Sequence, residues 1–186
     1  MQSINNQYIY LINFYVHDNN GIMALNAFLT IKGKRSGLIK GSVTIKGRED
    51  KILVIAASHQ LSTPTSSASA MAVGRKIHSP FVITKELDRS SPLLYNALAT
   101  NENITEWKLE FWGPSAEVAG AGNEIQKYTV ILTNARVSNI RFVMPNVKDP
   151  ELAKFNEYEE VSFSYQKIEW IWTDGGISAT DDWMIT

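Results

Sequence analysis

Apolar side chains recur at every second position in a series of short segments, and this alternation constrains the fold most strongly. A period of two places the apolar residues on one face of a β-strand. The segments predicted as strands are 27–31, 51–61, 77–84, 107–112, 127–133, 135–144 and 161–172. Helices do not alternate with them as they do in βαβ units. We therefore predict a mainly β protein, an antiparallel β-barrel of two packed sheets with one flanking α-helix.

The flanking helix is predicted at about residues 91–100. Ser90-Ser91-Pro92 supplies a preferred N-cap residue and a proline in the first turn, where the missing N–H costs nothing. An apolar stripe with helical spacing follows, made of Leu93, Leu94, Ala97 and Leu98.

Two of the predicted strands carry further expectations about their faces. In strand 51–61 we expect Leu53, Ile55 and Ala57 to pack inward, which would turn Ser58 toward solvent. In segment 161–172 the apolar residues change face halfway, which indicates one long strand between two environments, such as the core and a subunit contact. Residues 175–186 are expected to form a short irregular tail.

The length of 186 residues suits one domain. We expect a single domain over 23–186 and an N-terminal extension over 1–22, an artefact of the start site or of cloning, because Met23-Ala24-Leu25 resembles a natural start. The apolar segment 8–16 lacks a basic flank and a cleavage site, so no conventional export signal is predicted. It is also far shorter than the ~20 residues of a membrane span.

Composition argues against several classes of function. The 18 basic and 19 acidic residues are interspersed and give a net charge of −1, whereas a nucleic-acid-binding protein normally has a basic face. The chain has no cysteine, which excludes disulfides and thiol catalysis. We expect no nucleic-acid partner and no membrane insertion.

Residues able to support catalysis are present without a catalytic arrangement. His17, His59 and His78 lack the spacing of a zinc motif, so we expect packed or partly exposed side chains. The acidic candidates are Glu159 with Glu160, Asp181 with Asp182, and Glu86 with Asp88. We expect them on the solvated surface, because adjacent strand residues point to opposite faces. Gly120-Ala121-Gly122 is interpreted as a hairpin turn rather than a phosphate loop. The prediction is a protein without an active site, metal or cofactor.

A long charged segment follows the first strand. It carries Lys34, Arg35, Lys40, Lys46, Arg48, Glu49 and Asp50. Because it has too few apolar residues to join a core, we predict a long, partly extended surface loop.

Several ordered motifs resemble one known family. They are HSPFVITKELDRSSPLLY at 78–95, MPN at 144–146, DP at 149–150, EEVSFSYQKIEW at 159–170, GGISA at 175–179 and DDW at 181–183. Together they resemble the haemolysin-coregulated proteins (Hcp), the tube subunits of type VI secretion, from Met23 to about Trp183. The extension 1–22 is unusual for that family.

The resemblance implies a β-barrel subunit that assembles as a hexameric ring. Rings would stack into a tube inside a contractile sheath, and would leave the bacterial cytoplasm for the extracellular space or a target cell without a signal peptide. The implied partners are the chain itself, the sheath, spike and baseplate proteins, and effector cargo. The implied role is structural and chaperone-like, not enzymatic. A secreted Hcp-like binding or effector protein that does not build the tube remains the alternative.

The resemblance also implies roles for particular residues. Its extended loop, which corresponds to 34–50 here, contacts the next ring, so the charged residues of that segment are the candidate stacking contacts. Ser58 is the candidate lumen and cargo contact, because a solvent-facing strand position in a ring of barrels can line the central channel.

Overall fold

A computed structural model describes residues 26–65, 71, 73–114 and 124–184. The N-terminal extension, His17 and the Gly120-Ala121-Gly122 turn lie outside these described residues. Among the described residues, no helix is long and apolar enough to cross a membrane.

Within the described ranges the chain forms strands of two to eleven residues and one α-helix. The strands are β1 (Asn26–Gly33), β2 (Gly37–Leu38), β3 (Ile52–Val54), β4 (Ala56–Ser58), β5 (Leu61–Ser62), β6 (Ile77–His78), β7 (Phe81–Glu86), β8 (Ile104–Pro114), β9 (Glu124–Thr133), β10 (Arg136–Val143), β11 (Tyr158–Ser164), β12 (Lys167–Trp172) and β13 (Ile177–Asp182). The helix α1 (Ser91–Ala99) lies between β7 and β8.

The strands form two main antiparallel sheets and a small hairpin. The larger sheet has the order β13-β12-β9-β8-β1-β2, with β3 also paired to β1; the smaller has the order β10-β11-β7-β4; and β5 pairs with β6. The predicted class, mainly β with antiparallel sheets and one flanking helix, is confirmed. Among the described strands neither sheet closes on itself, so this part of the chain forms two packed open sheets.

One apolar core lies between the sheets. Trp107 of β8 is fully buried at its centre. Its ring meets Phe81 of β7 and Phe163 of β11 edge-on, at centroid distances of 5.0 Å and 5.5 Å, a favourable aromatic geometry. Leu94 and Ala97 of α1 join the same core.

The predicted helix is confirmed over Ser91–Ala99. Its proline lies in the first turn as expected, but the N-cap residue Ser90 makes no side-chain capping hydrogen bond. The Ser90 hydroxyl instead donates to Asp88 Oδ1 at 2.5 Å.

The predicted faces of strand 51–61 are wrong. Ile52 and Val54 are buried, whereas Leu53 and Ile55 are 42% and 53% exposed. The chain bends at Ile55 and passes from β3 in the large sheet to β4 in the small one. The bend breaks the alternation, so one strand face cannot be followed from 51 to 61.

The segment 161–172 is likewise two strands rather than one. It turns at residues 165–166 between β11 in the small sheet and β12 in the large sheet. Val161 and Ile168 are both buried in the one core, so the change of apolar face marks a change of sheet. Residues 177–182 form the edge strand β13 rather than an irregular tail.

Candidate assembly surface

The segment 34–50 contains the two-residue strand β2 and is otherwise a loop, whose start is held by the residues that follow helix α1. At its start the buried Glu102 carboxylate accepts hydrogen bonds from the backbone N–H groups of Arg35 and Ser36, at 2.5 Å and 2.8 Å. These bonds, led by the one from Ser36, lower the pKa of Glu102. The Arg35 guanidinium donates to the Thr100 carbonyl at 3.1 Å.

Midway, the loop runs beside the start of β3. The Gly41 N–H donates to the Asp50 carbonyl, and the Val43 N–H donates to the Lys51 carbonyl. A Cβ atom at Gly41 would lie 2.3 Å from the Lys51 carbonyl oxygen. Only glycine permits this close approach of the two backbone segments.

Arg48 is buried, although the sequence predicts an exposed loop residue. Its guanidinium carbon lies 4.2 Å from the ring centroid of Trp112 and 4.9 Å from that of Phe28. Its Nη1 atom lies 2.6 Å from Glu124 Oε2. The side chain is therefore part of the interior of the loop and not of its surface.

The other charged residues of the loop fall into two groups. Asp50 forms ion pairs with Lys40, at 2.8 Å, and with Arg89. Both cations, Lys40 first, lower the pKa of Asp50. Lys34, Lys46 and Glu49 are exposed, and no ion pair links their side chains to other described residues. These three are the loop charges that remain available to another molecule.

Ser58 is exposed on β4, as predicted, although not for the predicted reason. It pairs with Val82 across the β4–β7 ladder, at an edge of the small sheet. Its exposure follows from the shift of β4 to an edge, after the bend at Ile55.

The opposite edge of the small sheet is β10, which also carries exposed apolar side chains. Phe142, Met144 and Val147, on and just after β10, are each at least half exposed. The edge of the large sheet is β13, where Ile177 and the neighbouring Trp172 are exposed too. Free strand edges and apolar side chains together are typical of surfaces that another subunit covers.

The two described histidines take part in one hydrogen-bonded chain. Tyr165 Oη lies 2.5 Å from His59 Nε2 and 3.0 Å from His78 Nδ1, and His78 Nε2 lies 3.1 Å from Asp181 Oδ2. The two ring nitrogens of His78 therefore bridge the tyrosine hydroxyl and the Asp181 carboxylate, and His59 contacts the same hydroxyl. Burial and the Asp181 charge raise the pKa of Tyr165 to about 12. This chain joins β6, β13 and the residues flanking β4 and β11.

One charged cluster was not predicted from the sequence. Lys85 and Glu159 are fully buried, with Lys85 Nζ 2.8 Å from Glu159 Oε1, 3.0 Å from Ser91 Oγ and 2.9 Å from Asp88 Oδ1. The prediction of Glu159 as a solvated surface residue is wrong. Its neighbour Glu160 does point to the other face, where it pairs with the exposed Arg141. The alternation of side chains along β11 explains both outcomes.

Among the described residues, no three histidine or acidic side chains converge as a metal site would require. The polar clusters accordingly connect elements of the fold, and the exposed surface of the described residues includes strand edges, apolar side chains and charges of the loop. Such a surface is suited to binding other polypeptides.

Comparisons with known proteins identify the family. The family model described as "Type VI secretion system effector, Hcp" matches residues 28–172. The chain is 35% identical over 170 residues to the "Major exported protein" of Pseudomonas aeruginosa strain PAO1, which covers 87% of this chain and 96% of that protein.

Solved structures agree with this assignment. A crystal structure of an Hcp protein superposes with a TM-score of 0.77 at 31% identity, covering 86% of this chain and 98% of that one. A mutant form of the Hcp1 protein from the E. coli EAEC 042 pathovar gives 0.74 at 33%, covering 86% and 99%. The secreted protein Hcp3 from Pseudomonas aeruginosa gives 0.67 at 30%, covering 86% and 99%. The chain belongs to the Hcp family of type VI secretion proteins.

Proposed function

We propose that this chain is a tube subunit of a type VI secretion machine, which closes into hexameric rings that stack and carry effectors. The observation that carries the proposal is the match to the Hcp family over residues 28–172. Hcp proteins are structural secretion proteins and not a known enzyme family. The chain accordingly acts by binding and assembly rather than by catalysis.

The free edges of the sheets support ring closure. The small sheet ends in β10 on one side and β4 on the other, so contacts between unlike edges would join subunits head to tail. A head-to-tail contact closes into a ring when its rotation divides a full turn. The exposed Phe142 and Met144 on the β10 side would lose contact with water in such an assembly.

The remaining roles follow from the proposed ring. The loop 34–50 contacts the next ring through its exposed charges, and Ser58 faces the lumen. The further partners are the sheath, spike and baseplate proteins and effector cargo. The subunit assembles in the bacterial cytoplasm and is then secreted to the extracellular space or a target cell. Residues 23–186 form the domain that builds the tube, and residues 1–22 are an extension outside it.

The test is the mass of the purified protein in solution. Light scattering at micromolar concentration is expected to give six times the subunit mass of 20.9 kDa, and negative-stain microscopy should show closed rings of one diameter. A protein that remains at the monomer mass contradicts the proposal. That result favours the alternative, a secreted Hcp-like binding or effector protein that does not build the tube.

A further inference from the structure

We propose that Arg48 is a positioning residue that fixes the extended loop, so that the turn at residues 45–48 presents Ile45 and Lys46 to a second copy of this chain in the adjacent ring. The inference rests on the proposed tube function for the identity of the partner. The positioning itself is a property of the single subunit.

The side chain of Arg48 is buried against two aromatic rings and a carboxylate. Its guanidinium lies against the faces of Trp112 and Phe28 at 4.2 Å and 4.9 Å, and it pairs with Glu124 at 2.6 Å. Only 10% of the Arg48 side chain is exposed. Cation–π attraction and charge pairing are both stronger where water is excluded. An arginine buried in this way is unavailable to a neighbouring ring, in contrast to what the charge pattern of the loop suggests.

These contacts connect the loop to three strands. Phe28 belongs to β1, Trp112 to β8, and Glu124 begins β9. The Glu124 carboxylate also accepts a hydrogen bond from Asn26 Nδ2 at 3.1 Å. The loop is therefore held to the large sheet where β9 begins.

The ion pair between Arg89 and Asp50 is too exposed to replace this anchor. Arg89 and Asp50, which pair with each other, have side chains 52% and 37% exposed. Exposed ion pairs contribute little, because solvent and salt screen them. The buried Ile39 and the backbone hydrogen bonds of Gly41, Val43 and Asp50 hold the rest of the loop. Arg48 is the buried charged side chain that holds the turn at residues 45–48.

Arg48 ends a tight turn that leaves two side chains exposed. The Arg48 N–H donates to the Ile45 carbonyl at 2.9 Å, and Gly47 adopts a φ of 80°, which glycine tolerates best. Ile45 is 47% exposed, and Lys46 beside it has no ion pair among the described residues. An apolar side chain and a free cation on a rigid turn can dock with a smaller entropy loss than a flexible loop.

Hydrogen exchange of the intact protein tests the positioning. The reporters are the loop amides of Gly41, Val43, Arg48 and Asp50, which donate backbone hydrogen bonds within the loop or, for Val43, to the adjacent Lys51 carbonyl. Arg48→Ala is expected to raise their exchange rates about tenfold or more, since two cation–π contacts and an ion pair are lost. Arg48→Lys should give an intermediate increase, because an ammonium keeps the charge but not the planar stacking. Glu124→Gln should also raise the exchange rates.

Lys46→Ala is the matched control, a neighbouring cation with no anchoring contact. It is expected to leave the loop exchange unchanged while reducing stacking of rings seen by electron microscopy. Arg48→Ala should reduce stacking as well, with the ring mass retained. Unchanged loop exchange in Arg48→Ala overturns the inference. An equal increase of the hydrogen-exchange rates in the core strand β8 overturns the inference too, because Arg48 would then stabilise the whole fold.

The outcomes also separate the inference from the proposed function. If the unaltered protein forms no rings, the tube proposal fails, while loop exchange still decides whether Arg48 is an anchor. If Arg48→Ala does not fold, the exchange rates of Arg48→Lys and Glu124→Gln decide the question, and unchanged rates in both overturn the inference.

Discussion

At the scale of single residues, the buried charges at Lys85 and Glu159 are the feature that departs most from ordinary core chemistry. Removing an ammonium and a carboxylate from water is costly unless each finds a partner. Here the ammonium contacts two carboxylates, a hydroxyl and the Glu86 carbonyl. Because Ser91 begins α1 and Glu159 lies in β11, the cluster fixes the start of the helix relative to the small sheet.

We therefore expect Glu159→Gln to lower the free energy of unfolding by about 3 kcal/mol, since it leaves the buried Lys85 with Asp88 as its remaining charged partner. Denaturant unfolding at one fixed protein concentration measures the change, because assembly also affects apparent stability. Glu160→Gln is the matched control one residue away. Its exposed pair with Arg141 predicts a change within about 0.5 kcal/mol. Equal effects of the two substitutions would contradict the buried ion pair.

At the scale of secondary-structure elements, the chain of hydrogen bonds through Tyr165 joins segments far apart in sequence. His59 follows β4, His78 ends β6 and Asp181 lies in the edge strand β13. Burial first, and then the charge of His78, lower the pKa of His59. Protonation of His59 is therefore less favourable in the folded protein than in the unfolded chain.

The lowered pKa fixes the sign of a pH effect. Between the folded pKa and the unfolded value of about 6.5, the unfolded chain binds more protons, so stability should fall as the pH drops through this range. Denaturant unfolding at about pH 7.5 and about pH 5.5 measures the effect. The unaltered protein should lose stability at the lower pH, and His59→Gln should lose less. The same loss in both proteins would show that other groups determine the pH dependence.

The elements also show which parts of the structure can be predicted from the sequence. Helix α1 was predictable because the Ser-Pro start and the apolar stripe are local signals. The bends at Ile55 and at residues 165–166 were not, because each moves the chain to a different sheet and only distant pairing partners determine it. The charged loop was predictable from composition. The burial of Arg48 was not, because its partners Phe28 and Trp112 lie elsewhere in the sequence.

At the scale of the whole molecule, the two open sheets end in strand edges that no other described strand pairs with. The β4 edge is only three residues long, and all three are exposed. If six subunits close into the proposed ring, the small sheets can line its channel, and Ser58 would then lie on the wall. A serine with no contact to cargo is the competing interpretation.

Ser58→Gln separates these two interpretations. An exposed strand position usually tolerates a polar side chain within about 0.5 kcal/mol, so folding and ring mass should be unchanged. The longer side chain should reduce the retention of any effector that contacts the channel wall, measured by co-purification with the ring. Ser178→Gln, at an exposed position on the edge strand β13 of the other sheet, is the control and should retain cargo normally. Normal retention of every effector by Ser58→Gln rings would remove Ser58 from the cargo surface, and failure to fold would instead place its side chain in a packed contact.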